Sequence, residues 1–379
     1  MSDKLKIAFV AYDFPEYAVR HVNEMTSAGE VLLLLPEQSS RSYLPLLNQQ
    51  VQFEAFHKPR LRQPLKQIWT VLKLVRRLRK FRPDVIHFQN GHLYFNLALP
   101  WLKKFPVVIT IHDARQHLGD TESGHTPQWI MDYGFRQADQ VIVHGRSLIE
   151  TVVQELGFEG CQVHLIPHVA IGETQSPVAI TDDRQSILFF GRIWEYKGLE
   201  YLIRAAPQVV AEFPQAKFII AGRGEDMQRY RRLMHDENCF EVHNGWISDD
   251  QRSGLFAAAS LVVLPYIEAS QSGVIPIAYA YEKPVVVTNI GGLPDMVDHA
   301  QTGWLVPPRD VDTLAAGIIE LLRDRDRRMQ MGRAGKQKLI QTCAPAVVAQ
   351  QTLAVYRRAI EARKCCAASA AGKKEHLPT

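Results

Sequence analysis

The chain has 379 residues, of which 46% are hydrophobic and 22% charged, and its formal net charge is +4. This composition excludes fibrous and wholly disordered proteins and leaves room for two globular domains. No apolar run approaches the roughly eighteen residues that a membrane span needs, and the N-terminal run "IAFVA" is too short for a signal peptide. We therefore expect a cytoplasmic protein. The five cysteines include no C-x-x-C pair, which favours reduced thiols over a metal or redox site.

Short apolar, β-branched segments alternate with amphipathic helical segments along the whole chain. Continuous apolar strands that are separated by helices are typical of parallel sheets covered on both faces. The pattern predicts an α/β protein with two doubly wound, Rossmann-like domains. The predicted strands are "KIAFVAY", "EVLLLLP", "DVIHFQ", "PVVITIHD", "DQVIVHG" and "CQVHLIPH" in the first half, and "SILFFGR", "KFIIAG", "LVVLPY" and "KPVVVTN" in the second.

Residues 58–82 are strongly basic, with ten Lys or Arg and no Asp or Glu. Apolar side chains recur in this segment at helical spacing: Leu65, Ile68, Trp69, Leu72 and Val75. The pattern predicts a basic amphipathic helix. Such a helix either lies against an anionic membrane surface or packs its apolar stripe on a sheet while its charges are solvated. Both interpretations stay open, so the expected location is the cytoplasm or the inner face of the membrane.

The segment "VAIGETQSPVAITDDRQ" at 169–185 has no helical period and is rich in Gly, Pro, Ser and Thr, which predicts an interdomain linker. Two doubly wound domains joined there form a cleft between the carboxyl ends of their strands, where ligands bind in this architecture. The expected boundaries are an N-terminal domain at 1–170, a linker at 171–185, a C-terminal domain at 186–345, a final helix at 346–364 that packs back on the first domain, and a disordered tail at 365–379.

The segment "FFGRIWEYKGLEYLIRAA" places Gly191, Arg192 and Lys197 between a predicted strand and a predicted helix. This turn suits a diphosphate, because the glycine allows close backbone approach, Arg binds oxygens bidentately and Lys supplies a point charge. Solvated loop charges are the alternative interpretation.

Two further turns have the same character. Gly291 and Gly292 follow a strand and can form an anion-binding nest of amides. Ser272 and Gly273 precede a helix that we expect to begin near Val274, with a serine as candidate N-cap and free amides at the positive helix end. A plain turn is the alternative for each, but three anion-friendly turns at consecutive strand ends together predict a phosphate-binding cleft.

These motifs resemble family 4 glycosyltransferases, which are retaining enzymes of the GT-B fold. The similarity covers most of the second domain through "GRIWEYKG", "IIAGRGE", "PYIEASQSGV", "AYAYEKPVVVTNIGGLPDMV" and "TGWLVPP", and the first domain more loosely through "RPDVIHFQ", "TIHDARQHLGD" and "ADQVIVHG". The resemblance implies transfer of a sugar from a nucleotide diphosphate donor to a hydroxyl of a glycan or lipid-linked acceptor, without a bound metal. The nucleotide sugar is then a substrate, and neither a separate cofactor nor a nucleic acid partner is expected.

The resemblance also implies roles for individual residues. Arg192 and Lys197 would hold the diphosphate, Glu268 would contact hydroxyls of the donor sugar, and His112 would approach the donor sugar from the first domain, which is the acceptor side. Fixed cations and amides aimed at the leaving phosphate are the main catalytic need, and in a front-face mechanism that phosphate takes the acceptor's proton. A histidine that is bonded to backbone and purely structural is the alternative for His112.

The loop "HDARQHLGD" supplies the candidate acceptor-side residues Asp113 and His117. A capped polar loop is the alternative interpretation. His144 and His168 also end predicted strands, but the chemistry gives them no distinct task.

The sequence departs from the family pattern at two places. The family usually has a second Glu eight residues after the first, where it binds the ribose, but here Pro276 and then Ile277 follow Glu268 at that spacing. Losing this acceptor should cost about 1.5–3 kcal/mol, roughly 10- to 100-fold in donor affinity. Glu282 is too far along the helix to replace it. The loop "AYDFPEYAVRHVNEM" also lacks the paired glycines that often follow the family's first strand.

Three functions are therefore considered. The leading one is a retaining glycosyltransferase that builds a cell-surface glycan or glycolipid, and intact Arg192, Lys197 and Glu268 favour it. The second is a non-catalytic nucleotide-sugar-binding scaffold with a degenerate site, which the missing ribose carboxylate favours. The third is another two-domain enzyme, either a sugar-nucleotide epimerase or a nicotinamide oxidoreductase. An oxidoreductase would show G-x-G-x-x-G after its first strand, which is absent, and an epimerase would lack the combination of "GRIWEYKG" and "SQSGV".

Overall fold

The computed structural model describes residues 4–115, 126–172 and 185–374 and contains two parallel sheets. The first sheet has the strand order β3-β2-β1-β4-β5-β6-β7. Its domain consists of β1 (Leu5–Ala11), α1 (Pro15–Met25), β2 (Gly29–Pro36), α2 (Glu37–Ser40), β3 (Gln52–Phe56), α3 (Pro64–Phe81), β4 (Val85–Gln89), α4 (Leu93–Ala98), β5 (Val107–Ile111), α5 (Gln128–Phe135), β6 (Gln140–Val143), α6 (Arg146–Leu156) and β7 (Val163–Leu165), with 3₁₀ helices at Arg41–Leu46, Leu99–Leu102 and Gly160–Gln162.

The second sheet has the strand order β10-β9-β8-β11-β12-β13. Two long helices, α13 (Arg325–Cys343) and α14 (Pro345–Lys374), complete the described chain. The second domain consists of β8 (Ser186–Phe190), α7 (Leu199–Glu212), β9 (Lys217–Gly222), α8 (Met227–Arg231), β10 (Phe240–Asn244), α9 (Asp249–Ala258), β11 (Leu261–Leu264), α10 (Val274–Ala280), β12 (Val285–Thr288), α11 (Leu293–Met296), β13 (Gly303–Val306) and α12 (Val311–Arg323), with 3₁₀ helices at Glu195–Lys197 and Glu237–Cys239.

Both sheets are doubly wound, so the predicted fold class is confirmed. In each sheet the chain first winds in one direction and then continues from the other side of the first strand. The order reverses between β1 and β4 in the first sheet and between β8 and β11 in the second. Such switch points leave a crevice at the carboxyl ends of the strands, which is where ligands bind in open α/β sheets.

The central strands are those that the apolar pattern predicts. Every residue of β4, β5, β6, β11 and β12 is buried, because helices cover both faces of each sheet. The pattern misses β3, β10 and β13, and all three lie at the edge of a sheet. Their side chains are partly exposed, so they lack the continuous apolar run that marks a central parallel strand.

The basic helix α3 has two apolar stripes. Residues on its sheet-facing side are buried: Gln67, Val71, Leu74, Val75 and Leu78. Of the predicted stripe, only Val75 is among them, and Leu65, Ile68, Trp69 and Leu72 remain exposed. Both sets recur at helical spacing, so periodicity alone does not tell which set faces the sheet.

Helix α14 crosses back to the first domain and packs against α1, β4, β5 and β6. The His87 ring pairs with the Tyr356 hydroxyl at 2.6 Å, and the His21 ring pairs with the Thr352 hydroxyl at 3.1 Å. At the far end of the interface, Arg363 forms a salt bridge with Asp139. The second domain is therefore connected to the first both by the linker and by this returning helix.

The sequence predicts a disordered tail from residue 365, but α14 continues to Lys374. The segment "CCAASAAGKK" is rich in alanine, which has the highest intrinsic helix propensity, so it extends the preceding helix. Within the described residues, no helix has the length and apolar character needed to cross a membrane.

The Tyr356→Phe variant should lower the free energy of unfolding by about 1–3 kcal/mol, because it leaves a buried nitrogen of His87 without its partner. Urea denaturation measures this loss. Tyr133→Phe, at an exposed tyrosine, is the control and should leave the free energy unchanged. Equal stability of the two variants would show that the pair does not hold α14 on the sheet.

Candidate active site

The switch point of the second sheet carries the predicted diphosphate turn. Gly191 and Arg192 follow β8, Lys197 ends the next 3₁₀ helix, and Glu268 lies after β11, the neighbouring strand across the switch point. Gly191 has φ of 120°, and the carbonyl oxygen of Gly191 lies where a Cβ at position 222 would stand. Position 191 requires glycine because its backbone is left-handed. Position 222 requires glycine because a Cβ there would overlap the Gly191 carbonyl oxygen.

The two predicted cations are half-buried and rest on tyrosine side chains. The Lys197 ammonium lies 3.7 Å from the ring centroid of Tyr266, and Arg192 Nη2 donates to the Tyr196 hydroxyl at 2.9 Å. A cation over a desolvated aromatic ring gains up to about 2 kcal/mol. The Tyr196 carbonyl also accepts from the amide of Ile267 at 2.8 Å, so the turn after β8 and the loop that carries Glu268 form one unit.

The predicted helix start after Glu268 is present, since α10 begins at Val274. The Ser272 hydroxyl accepts from the amide of Val274 at 3.2 Å and lies 3.3 Å from the Tyr266 hydroxyl. Gly273 is the N-cap residue and has no capping side chain. Burial raises the pKa of Tyr266, so its hydroxyl stays protonated beneath Lys197.

The turn with Gly291 and Gly292 touches both domains. Gly291 is left-handed, with φ of 56°, and packs on the carbonyl oxygen of Ala269. A Cβ at Gly145, which follows β6 of the first domain, would lie 2.7 Å from the Ser270 carbonyl oxygen and 3.0 Å from Gly292 Cα. The carboxyl ends of the two sheets therefore meet here at backbone contact.

His112 directly follows β5, as predicted, but it is fully buried rather than open to the cleft. The Phe14 ring stacks on it, with centroids 4.4 Å apart and an interplanar angle of 20°. The Gln89 amide nitrogen lies 2.9 Å from His112 Nε2, while Nδ1 has no hydrogen-bond partner among the described residues. Burial and the neighbouring histidines hold the pKa of His112 well below its usual range, so the ring is neutral.

Phe14 occupies the loop in which the family often has paired glycines. It adopts the left-handed conformation at the N-cap of α1, with φ of 57°, which costs roughly 1–2 kcal/mol for a residue with a Cβ. Strained backbone of this kind tends to cluster at functional sites. The loop thus places a half-exposed aromatic ring, instead of backbone amides, over His112.

His112 belongs to a cluster of buried rings around Tyr17. The His112 and His144 centroids are 4.7 Å apart, and those of His144 and His168 are 5.1 Å apart. Burial lowers the pKa of His144 to about 3 and that of His168 to about 4. His144 Nδ1 pairs with the Ile166 carbonyl at 2.7 Å, which gives this ring the structural role that sequence chemistry left open.

Of the two acceptor-side candidates, the structure describes Asp113. Asp113 is half-buried next to His112, and His117 lies outside the described residues. The neighbouring Arg115 pairs with Asp132 and Glu155, which fits a capped polar loop.

The second carboxylate of the family is not replaced by Glu282. That residue lies two positions beyond the end of α10, in the left-handed conformation with φ of 53°, and forms a salt bridge with Lys336 at 2.8 Å. Pro276 instead lines a cavity of about 320 Å³ between the domains, beside Gln271 and Tyr279. The charged side chains of this cavity are paired: Arg146 with Asp295 and Lys338 with Asp298.

Three features at the domain interface and cleft edge escaped the sequence analysis. Phe14 precedes Pro15, which is a helix-start signal, but its stacking on His112 has no sequence signature. Glu16 is buried and accepts from the amide of Gly172, at the start of the linker, at 2.7 Å. Trp246 follows the edge strand β10 and faces the Arg223 guanidinium, whose carbon lies 5.7 Å from the ring centroid.

Comparison with known proteins identifies two family matches that together span most of the chain. Residues 16–169 match Glycosyltransferase Family 4, and residues 184–324 match Glycosyl transferases group 1. An uncharacterized glycosyltransferase from Methanocaldococcus jannaschii is 28% identical over 73% of this chain and 76% of its own. A GDP-mannose-dependent α-(1-6)-phosphatidylinositol monomannoside mannosyltransferase from Mycobacterium tuberculosis is 30% identical over 41% of this chain, which spans 43% of that relative.

Solved structures with the same fold cover nearly the whole chain. A sucrose-phosphate synthase from Thermosynechococcus elongatus superposes with a TM-score of 0.71 and 20% identity, covering 94% of this chain and all of that one. Anabaena HepE in complex with UDP superposes with a TM-score of 0.70 and 21% identity, covering 93% of this chain and 100% of that one.

Removing the ring that covers His112 should raise the pKa of that histidine, because desolvation is the main cause of its depression. We expect the His112 pKa in Phe14→Ala to move toward the ordinary value, as measured by NMR pH titration of the imidazole carbon protons. Phe14→Tyr keeps the stacked ring and is the matched control. Identical titration of the two variants would contradict the covering role of Phe14.

The buried histidines should make the fold acid-sensitive. Their folded-state pKa values lie below 6.5, so the unfolded chain binds more protons between pH 6.5 and about 4, and stability falls as pH falls through that window. Each contributes up to about 1.4 kcal/mol per pH unit. The midpoint of urea unfolding should drop steeply below pH 6.5 in wild type. The drop should be smaller in His168→Gln, which removes one buried histidine, and unchanged in His235→Gln, at an exposed histidine that serves as the control. A flat profile in wild type would contradict the neutral cluster.

Proposed function

This chain belongs to the family 4 glycosyltransferases and has the GT-B fold, and from that premise we propose that it is a retaining, metal-independent hexosyltransferase. The donor is a nucleotide-diphosphate sugar, and the acceptor is a hydroxyl of a glycan or of a lipid-linked glycan. No cofactor besides the donor takes part.

The observation that carries this proposal is the unit at the β8/β11 switch point. Arg192 and Lys197 lie half-buried on tyrosines, and the backbone joins them to the loop that carries Glu268. Two cations fixed beside a glycine turn suit a diphosphate, whose charge increases as the glycosidic bond breaks. Because the cations are held before the donor arrives, they need little reorganisation during the reaction.

In the proposed reaction, the bond between the anomeric carbon and the phosphate oxygen breaks while the acceptor oxygen bonds to that carbon on the same face. The acceptor's proton passes to the leaving phosphate, so no side chain has to act as a base. Arg192 and Lys197 neutralise the departing diphosphate, and Glu268 orients the donor sugar through its hydroxyls. Neutral His112 adds no positive charge near the cationic anomeric carbon. Its Nδ1 has no hydrogen-bond partner among the described residues and is available to a sugar hydroxyl when Phe14 moves aside.

The proposed donor site has Pro276 where the family pattern has the carboxylate that binds the ribose. Pro276 has no carboxylate and lines the interdomain cavity, and Glu282 pairs with Lys336, so neither supplies the missing acceptor. Trp246, with Arg223 over its ring, lies at the carboxyl edge of the same sheet and offers a stacking surface for the nucleotide base. Stacking on this surface would offset part of the lost hydrogen bonds.

The epimerase and oxidoreductase alternatives are set aside by the family assignment. A non-catalytic nucleotide-sugar-binding scaffold stays as the second candidate. The stacking of Phe14 on His112 favours it, because the predicted catalytic histidine is covered.

Calorimetric titration with UDP, GDP, ADP and their sugar conjugates tests the donor site. Names of relatives and structural neighbours include GDP-mannose, UDP-glucose and ADP, so these nucleotides come first. We expect one series to bind and Lys197→Ala and Arg192→Ala each to weaken it at least tenfold, because each removes a charged partner of the diphosphate. Arg232→Ala, at an exposed arginine of the same domain, is the charge-matched control.

Slow release of free sugar from the bound conjugate then separates the two candidates. Release that Lys197→Ala abolishes supports the enzyme. Tight donor binding with no release, even in the presence of acceptor glycans, would favour the scaffold. Unchanged binding in both site variants would overturn the assignment of Arg192 and Lys197.

A further inference from the structure

The exposed stripe of α3 is part of a larger apolar face on the first domain. Trp69 is 66% exposed and Ile68 is 45% exposed, although a helix of a globular domain normally turns such residues inward. The inward side of α3 is already occupied by its other stripe, so these side chains have no partner within the described fold. The exposed members of the stripe are Leu65, Ile68, Trp69 and Leu72.

Neighbouring elements extend this face with aromatic side chains. Helix α4 contacts both α3 and α5, and Arg79 on α3 donates to the Trp101 carbonyl at 2.8 Å. Trp129 on α5 is 66% exposed. The large apolar residues exposed on these adjoining elements are Leu97, Trp101, Trp129 and Tyr133. We call the stripe and these four residues together the apolar face.

Basic side chains surround the apolar face. On α3 the residues one and two turns after Trp69 and Leu72 are basic, so the same side of the helix changes from apolar to cationic along its length. Of the ten Lys and Arg in 58–82, only Lys58 and Arg77 form salt bridges within the described ranges. The exposed basic residues of α3 are Lys66, Lys73, Arg76, Arg79 and Lys80, and Lys103 and Lys104 follow Trp101.

Carboxylates near the apolar face already form salt bridges with other residues. Glu54 pairs with Arg77, and Asp132 pairs with Arg115. The face therefore presents unneutralised positive charge around tryptophan, tyrosine and aliphatic side chains. Tryptophan and tyrosine are enriched where one end of a ring is apolar and the other is wet, which is the condition at a lipid headgroup.

We propose that the apolar face docks on an anionic phospholipid membrane, with Trp69 and Trp129 inserted at headgroup depth and the basic residues of α3 on the headgroups. This chemistry is that of an interfacial helix, in which buried apolar area and attraction to anionic lipids add together. Each Lys or Arg near such a surface strengthens binding roughly fivefold. A second copy of the chain would bring the same positive charge to the face and is repelled.

Docking would place a membrane against the domain that carries His112 and the acceptor side. A lipid-linked acceptor would then reach the cleft from the surface to which the protein is bound. The choice of acceptor rests on the proposed function, but the lipid contact does not, because it is measured without donor or turnover.

Flotation of the full chain with vesicles tests the contact. We expect binding to phosphatidylcholine vesicles that contain phosphatidylglycerol, little binding to phosphatidylcholine alone, and release by high salt. The double variants Ile68→Ser/Trp69→Ser and Lys73→Glu/Arg76→Glu should each weaken binding more than tenfold, because one removes inserted apolar groups and the other reverses two charges.

Matched controls exist in the second domain and α13. Ile340→Ser changes an isoleucine that is 57% exposed, and Arg204→Glu/Arg232→Glu reverses two exposed arginines, and both should bind vesicles as wild type does. Circular dichroism confirms that each variant is folded.

Three outcomes would overturn the proposal. The first is no binding of wild type to anionic vesicles, and the second is equal binding by face variants and controls. The third is a wild-type dimer, by light scattering, that Ile68→Ser/Trp69→Ser converts to monomer, which would show that a second copy covers the face. Loss of nucleotide binding in Lys197→Ala with unchanged flotation would support the donor site and the docking face as separate features.

Discussion

The site depends on the close approach of two sets of strand ends. Gly145 after β6 lies against the backbone of Ser270 and Gly292, and no side chain fits between them. Because both sheets are parallel and doubly wound, this contact brings their switch points to one cleft. Helix α14, held on the first domain through Tyr356 and Arg363, connects the domains a second time. The relative position of the turn after β8 and the first-domain wall follows from these backbone constraints.

The two walls of the cleft differ in charge and in openness. The second-domain wall has the half-buried cations Arg192 and Lys197. The first-domain wall has neutral, buried histidines, with Phe14 stacked on His112. This division suits a reaction that places negative charge on a leaving phosphate and positive charge on a sugar carbon.

The departures from the family pattern have structural consequences. The residues where the ribose carboxylate is expected turn inward: Ile277 packs on Gly172 of the chain leading into the linker, and Pro276 lines the interdomain cavity. In the loop where the family often has paired glycines, this chain has Phe14, and the Phe14 ring covers His112. Both changes place apolar side chains where the family pattern has a carboxylate or a glycine.

The amino-acid sequence by itself determined the fold class, the central strands, the helix start at Val274 and the turn with Arg192 and Lys197. These features follow from local periodicity and from turn residues that lie close together in the chain. Tertiary structure alone decided the edge strands, which of the two stripes of α3 faces the sheet, and the burial of His112 under Phe14. Each of these depends on a partner far away in sequence, because exposure is a property of what packs on a residue rather than of the residue itself.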